Sequence, residues 1–453
     1  MLGRATFTMV LSSDISARAP PRIARTTLRR GARVTIGRLP TPSLYRVGLT
    51  LTGSPDEPDL LFLPWDVPLE DWPPDLVVSL PRGISRHIVR FVQVNDRVYA
   101  IKEVEQPLAE REYHLLFDLN RRAVPAVEPI GVASGRTDAD GEPLPACLVT
   151  RHLQFSLPYR ALFSSTPRAS TVNRLMDALV LLLVRLHLTG FSWNDCSLSN
   201  TLFRRDAGAF AAYLVDAETG EMHSRLTEGQ RHHDIDIAAV NVTGELMDLE
   251  VGGALHPSMD PLTLGDQLRD RYAALWNELT EPLAIGSGER FLLDARIRRL
   301  NDLGFDIAEL QASRSENTVH VQPKVVDAGH HSRRLMELTG LDVEENQARR
   351  LLNDLDTFRW SVDPAGEDTE AVIAHQWVTT RFEFVAQSIP DTLRGKLEPA
   401  EVFHEVLEHQ WFASEAAGRD VGLEAALEDY LETVLPHRRD EMAILGEAEP
   451  VED

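Results

Sequence analysis

The sequence predicts an α+β chain in which a strand-rich segment, a helix-rich segment and a second, mainly helical region follow one another. Three observations carry this. Strand-like runs dominate residues 76–150, and apolar positions recur at helical spacing through 170–250. From about 262 to 438 a succession of amphipathic stretches follows with a single strand-like interruption. The 453 residues suit two or three domains. With 43% hydrophobic and 26% charged residues, the composition is that of a globular protein able to bury a large core.

Eight Arg and one Asp lie in residues 1–39, so this stretch carries +7 and leaves −31 to the remainder of a chain of net charge −24. The opening is Arg-rich and acid-poor like a transit peptide but lacks the continuous apolar core of a secretory signal. Residues 1–45 are expected to be a disordered tail, or to reflect a start codon set too far upstream, and to pack on nothing. An acidic body repels phosphate backbones, so no nucleic acid partner is expected. Cys147 and Cys196 cannot build a disulfide framework and fit a reducing cytoplasm. No run approaches the roughly 20 apolar residues of a membrane span; the most apolar one, Leu179 to Val184, ends at Arg185.

Regular structure is expected after the Pro- and Trp-rich stretch LFLPWDVPLEDWPPDL. HIVRFVQV and RVYAIKEV read as strands joined by a two-residue turn at Asn95-Asp96. PLAEREYHLLFDLNRR reads as a helix with Leu108, Glu112, Leu115, Leu116 and Leu119 on one face. EPIGVA and PACLVT are further strands around the polar loop GRTDADGE. VNRLMDALVLLLVRLHL, apolar on most sides, reads as a buried helix. NTLF and FAAYLVD form a small hairpin around RRDAG, and DIDIAAVNVTGELMDL is a second buried helix. In the last region LGDQLRDRYAALWNEL, RFLLDARIRRLNDLGF, SRRLMELTGL, VEENQARRLLNDLDTFRW, AVIAHQWVTTRFEFVAQ, PAEVFHEVLEHQWFASEAA and GLEAALEDYLETVL read as helices. NTVHVQPKVV reads as a strand, and residues 439–453 as an acidic disordered tail.

The loop in RLHLTGFSWNDCSLSNTLF sets Asp195 and Asn200 five residues apart. Turn chemistry alone accounts for such residues; the rest of the chain adds to it. Phosphoryl transfer needs a cation for the phosphates, a carboxylate to hold that cation, oxygen ligands for Mg²⁺ and a base for the acceptor hydroxyl. Lys102 ends a strand with Val98 and Ala100 on its side. An inward lysine must find a counter-ion or an anionic ligand, and Glu112 on the next helix, or Glu110 as the fallback, is placed to provide it. Asp195 suits the base. Asn200 and Asp216, the latter at the end of YLVDAE, suit a hard cation.

With these residues in hand, the sequence resembles the protein-kinase-like superfamily. AIK is similar to its lysine strand and LHLTGFSWNDCSLSN to L-H-x-x-G-x-x-H-x-D-x-x-x-x-N. LVDAE is similar to the metal-binding D-F-G segment, and HHDIDIAAV to the helix whose Asp braces the catalytic loop. LPWDVPLEDWP, LPRGISRHIVRF, RHLQFSLPYRALFS and LTGLDVEENQARRLLNDL resemble bacterial lipopolysaccharide-kinase-like (Kdo/WaaP-type) proteins of the branch typical of actinobacteria, whose module precedes a C-terminal domain of unknown function. The resemblance covers roughly residues 60–435. It implies a bilobal protein-kinase-like fold, with a small β-rich N-lobe and a helical C-lobe, at 60–255, and a mainly helical domain at 262–438. It also implies a phosphotransferase using ATP and Mg²⁺, here expected in the cytoplasm and on a hydroxyl of a small molecule or sugar. The alternative is a nucleotide-binding pseudokinase or regulatory module whose C-terminal domain binds a protein partner.

The sequence departs from that pattern. Trp193 and Asn194 stand where protein kinases carry His-Arg, Ser197 replaces a lysine, and Glu218 stands where D-F-G has its glycine. Only 18 positions separate Asp216 from Asp234, too few for a peptide-binding platform. The glycine-rich loop is reduced to PRGISRH, leaving Gly83, Ser85 and Arg86 with Arg82 as phosphate-binding candidates. The hinge to adenine falls at Arg151, His152 and Leu153.

Other polar clusters are weaker. Of His232, His233, Asp234 and Asp236, Asp234 or Asp236 is expected to brace the catalytic loop. HEVLEH puts Glu408 where a zinc motif needs its second His, so His404 and His409 do not share a helix face well. DAGHHSRR places His330, His331, Arg333 and Arg334 in a first helical turn, whose free amides and dipole favour an anion. These four are candidates for binding the acceptor or the ATP phosphates.

Overall fold

The structure, a computed structural model, describes residues 5–9, 49–53, 57–78, 87–95, 97–164, 166–281, 283–285, 299–300, 305–315, 318–363 and 366–442. Strands β1 (Ala5–Met9), β2 (Leu49–Gly53), β3 (Val77–Val78), β4 (Ile88–Val94), β5 (Arg97–Val104), β6 (Glu128–Ser134) and β7 (Ala146–Arg151) form one antiparallel sheet in the order β1-β2-β6-β7-β5-β4-β3. The β4–β5 hairpin closes with Val94 opposite Arg97, and Asn95 takes the left-handed φ of 57° that its two-residue turn demands. The sheet extends further than the sequence predicts. Residues 5–9, expected within a tail that packs on nothing, pair with 49–53 as an edge strand.

Alternation gives this sheet two apolar faces. On the outer face Val92, Tyr99, Ile101, Cys147 and Val149 pack under Leu60, Trp65, Leu69 and Trp72. Arg136, 2% exposed, fixes this cover by donating to the carbonyls of Trp65 (3.0 Å) and Val67 (2.6 Å) and to Glu103 (2.6 Å). On the inner face Val104, Val132, Ala146 and Leu148 share a core with α1 (Gln106–Arg121) and the helical lobe below. Lys102 alternates onto that inner side.

The helical lobe contains α2 (Tyr159–Phe163), α3 (Ala169–Leu188), α4 (Glu228–Val251) and α5 (Pro261–Thr280). Helix α3 is central, with Leu175, Leu179, Leu182, Leu183 and Leu186 wholly buried. A capping box between Thr227 and Gln230 starts α4. Strands β8 (Ser156–Pro158), β10 (Thr201–Asp206) and β11 (Ala209–Leu214) make a small sheet beside α3, and β9 (Phe191–Ser192) pairs with β12 (Glu221–Met222). Leu264, Leu268, Tyr272 and Leu279 of α5 lie in the same core as α3.

The last region opens with β13 (Leu283–Ile285), β14 (Phe305–Ser315) and β15 (Thr318–Ala328), ordered β13-β15-β14. The sequence predicts β15 alone; β14 supplies its backbone with a hydrogen-bonding partner, which a lone strand lacks. Most of the helix predicted over 290–305 lies outside the described residues. Helices α6 (His330–Thr339), α7 (Glu345–Val362), α8 (Glu370–Trp377), α9 (Glu383–Ser388), α10 (Pro399–Ala417) and α11 (Leu423–Thr433) follow. Leu335, Leu351, Ile373, Trp377, Phe403 and Tyr430 give them a core of their own. The acidic tail predicted over 439–453 is corrected at its first residues. Residues 443–453 lie outside the described residues, but Glu441 is 5% exposed and ion-paired to Arg205 at 2.7 Å. Among the described residues no helix is long and apolar enough to cross a membrane.

Candidate active site

Lys102 projects from β5 toward α1, and its Nζ lies 3.1 Å from Glu112, 2.8 Å from Asp216 and 3.2 Å from Glu218. Of the two carboxylates predicted for it, Glu112 is the partner and is 1% exposed. Glu110 instead bonds Gln106 at the surface. Burial works against the charge on Lys102, but Glu112 and Asp216 outweigh it and raise its pKa. Burial and the neighbouring Asp216 push Glu112 up to about 7, with Lys102 pulling the other way. The third carboxylate, Glu218, also meets His87 Nε2 at 2.9 Å. Its signal in the sequence was a charged residue where related motifs carry glycine.

The loop that carries Asp195 and Asn200 begins where α3 turns at Gly190. Its φ is 87°, and a Cβ there would sit 2.3 Å from the His223 carbonyl oxygen, so only glycine fits the turn. Asn200 Nδ2 donates to the Asp195 carbonyl (3.0 Å) and carboxylate (3.1 Å). Asn241 Nδ2 approaches the other Asp195 oxygen at 3.3 Å and the Cys196 carbonyl at 3.2 Å. Asp234, wholly buried, accepts the amides of Trp193 and Asn194, both at 2.7 Å, and contacts His187 Nε2 at 2.9 Å. The His187 ring is backed by Tyr272 of α5 at 2.6 Å. Glu245 accepts the amides of Leu198 (2.6 Å) and Ser199 (3.0 Å).

Asp234, rather than Asp236, is thus the bracing residue; Asp236 pairs with Arg269 at 2.9 Å. Asn241 and Glu245 were missed. They follow Asp234 by seven and eleven positions, so three polar residues share one helix face with the buried Ala238 and Val242. The Trp193 indole, standing in for a histidine, donates to the Asp216 carbonyl at 2.8 Å. The amide of Val215 donates to the Asn200 carbonyl at 3.1 Å, and Thr201 pairs with Leu214. Asn200 and Asp216 therefore flank the open end of one hairpin, β10–β11.

At the predicted hinge the amide of His152 donates to the Val98 carbonyl at 2.9 Å, and burial pulls its imidazole down to about 4. Leu153 follows, half-buried. The Arg151 side chain, predicted to meet a nucleotide, turns to the outer face, where it pairs with Glu57 and Glu128, each at 2.9 Å. Two-residue alternation puts Leu148 and Thr150 on the inner side and leaves Arg151 on the other. Gly83, Ser85 and Arg86 lie outside the described residues.

The cationic helix start is also corrected. The amides of His331 and Ser332 donate to Glu345 at 2.8 and 3.1 Å, and the His331 ring meets the same carboxylate at 2.7 Å. Arg334 pairs with Glu370 at 2.8 Å, and His330 packs edge-on against His331. The amides that were to receive a ligand anion from the start at His330, His331, Arg333 and Arg334 hold the chain's own carboxylate. His404 lies 3.6 Å from Glu408, and His409 pairs with Asp429 at 2.5 Å. Among the described residues, the carboxylates close enough to hold a metal together are Glu112, Asp216 and Glu218.

A β-rich lobe over a helical lobe, a buried Lys–Glu pair between them and an Asp–Asn loop braced by a helix define the protein-kinase-like fold. Residues 89–241 match the lipopolysaccharide kinase (Kdo/WaaP) family, and residues 274–435 match a domain of unknown function, DUF4032. A Kdo/WaaP-like, kinase-like module is thus followed by that domain of unknown function. Among solved structures, WaaP in complex with acyl carrier protein matches at 15% identity over 51% of this chain and 90% of that chain, with a TM-score of 0.29. No curated protein matches.

Proposed function

We propose that the module transfers a phosphoryl group from Mg-ATP to a hydroxyl of a small molecule or sugar, in the cytoplasm. The observation that carries this reading is the pairing of Lys102 with Glu112 and Asp216 beside a loop that pairs Asp195 with Asn200, the two joined by the Val215 amide on the Asn200 carbonyl and the Trp193 indole on the Asp216 carbonyl. Lys102 would meet the phosphates, with Glu112 holding it in place. Asn200, whose Nδ2 is committed to Asp195, offers its Oδ1, and Asp216 offers a carboxylate. These are the hard oxygen donors that Mg²⁺ takes. When bound, Mg²⁺ neutralises charge on the phosphate oxygens. Asp195, held by Asn200 and Asn241, accepts the proton of the acceptor hydroxyl. The stretch between Asp216 and Asp234 is taken up by β12 and the turn into α4, which favours a small acceptor over a peptide.

Replacing the base tests this. Asp195→Ala should lower turnover by roughly 10²–10⁴-fold while nucleotide affinity stays near that of the unaltered chain. The position of Glu218 favours a second reading, a nucleotide-binding regulatory module, because a third carboxylate on Lys102 competes with phosphate for it. Mg-ATP binding without ATP consumption across a panel of sugar acceptors would support that reading. Calorimetry showing no nucleotide binding with Mg²⁺ present would defeat both.

A further inference from the structure

We infer that the C-terminal domain is a positioning element of the phosphoryl-transfer site, acting by fixing the β10–β11 hairpin that carries Asn200 and Asp216 at its open end. The inference rests on the reading of those two residues as cation ligands and adds what holds them.

The hairpin's far end is held residue by residue. Arg204 lies 2.9 Å from Glu344 and 2.6 Å from Glu398, the capping residues of α7 and α10. Two helix starts therefore converge on one guanidinium. Arg205 pairs with Glu441 at 2.7 Å, beyond α11. Asp206 accepts from the Gln347 amide and from Asn346 Nδ2, both at 2.8 Å. The Ala207 amide donates to Glu401 at 2.9 Å. Gln347 Nε2 ties Glu401 (3.0 Å) to the Arg205 carbonyl (3.2 Å). From the second strand, the Tyr213 hydroxyl donates to Glu344 at 2.6 Å.

These are not surface pairs, which contribute little. Gln347 is 0% exposed, Asp206 and Glu401 3% each and Glu441 5%, so each partner removed leaves a buried polar group unmatched. Strand β8 pairs with the hairpin at Leu202, Phe203 and Arg204, so among the described residues the far end from Arg205 to Ala209 has no third strand beside it. The hairpin's register is continuous from Asp206 opposite Ala209 to Thr201 opposite Leu214, so displacement of the gripped end reaches Asn200 and Asp216. Helix α4 braces the catalytic loop from one side through Asp234, Asn241 and Glu245. The C-terminal domain secures the other boundary of the same loop. Arg204 and Arg205 are thus positioning residues, acting through the hairpin.

The test uses the full chain with Arg204→Gln/Arg205→Gln, and separately with Glu398→Gln on the opposite side of the contact. ATP binding is followed by calorimetry over a Mg²⁺ series and in EDTA, and hydrogen exchange is read at the amides of residues 201–214. Release of the hairpin should raise the Mg²⁺ requirement of the double variant by about tenfold, the low end of what losing a direct contact to a metal ligand costs. Metal-free ATP affinity should hold and hairpin exchange should speed up. Glu398→Gln should shift the same quantities less, and decides the matter if the double variant does not fold. Faster hairpin exchange with an unchanged Mg²⁺ requirement, or unchanged exchange, overturns the inference alone. Failure of the unaltered chain to bind ATP in a Mg²⁺-dependent way overturns the reading of Asn200 and Asp216, and this inference with it.

Discussion

Lys102 carries one positive charge among three carboxylates, and under the proposed function Mg²⁺ would offset the excess negative charge. Spacing placed the lysine on the inner face, and the helical stripe put Glu112 forward; only packing set Glu112, and not Glu110, at 1% exposure beside it. Gly190 shows the same dependence at a single backbone position. Gly190→Ala requires a left-handed alanine, costing about 1–2 kcal/mol. It also drives a Cβ toward a backbone oxygen 2.3 Å away, which cannot yield as a flexible side chain would. Thermal unfolding should show a midpoint several degrees lower. An unchanged midpoint would mean that the turn into the Asp195–Asn200 loop relaxes freely.

Helix α4 was legible as a buried helix, and its role as a brace was legible only through Asp234. Its remaining polar face acts on different atoms: Asn241 reaches the Asp195 carboxylate itself, while Glu245 holds the amides of Leu198 and Ser199. Asn241→Ala removes one of the side-chain donors that hold Asp195. Misplacing a reacting group by an ångström costs up to about 10²-fold in rate, so turnover should fall by tenfold or more with ATP affinity unchanged. Equal losses in turnover and in ATP affinity would assign Asn241 to nucleotide binding instead. Helix α5 supports this brace from behind, since the Tyr272 hydroxyl meets His187, which meets Asp234.

Across the whole molecule the contact between module and C-terminal domain is rich in acid, and burial, with Glu344 nearby, pushes Asp206 up to about 7. In the unfolded chain an Asp ionises near pH 4. Between those values the folded chain holds a proton that the unfolded chain has released, so this residue's contribution to stability falls as pH rises from about 4 to about 7. Asp206→Asn carries no charge at either end of the range. Its melting midpoint, relative to the unaltered chain, should therefore rise between pH 5 and pH 8. A difference that stays constant would show that Asp206 ionises in place without cost. Burial also raises Glu398 and Glu441 at the same contact, with the same sign.

The sequence by itself determined the order of the lobes, the β4–β5 hairpin, the buried α3 and α4, and the chain order of Lys102, Asp195, Asn200 and Asp216. Apolar spacing and turn residues encode these locally, because sterics and the burial of one face impose a period on neighbouring positions. Tertiary structure alone decided which candidate charges meet. The helix start at His330 and His331, open to an anion in the sequence, is filled by Glu345, fourteen positions beyond His331 and brought over by the turn into α7. Arg151 belongs to the outer face with Glu57. Residues 5–9 found a strand edge at 49–53, and Glu441 found Arg205 across the chain. A charged group's partner depends on which desolvated neighbour comes within a few ångströms. That neighbour is set by packing between distant segments, which local periodicity does not record.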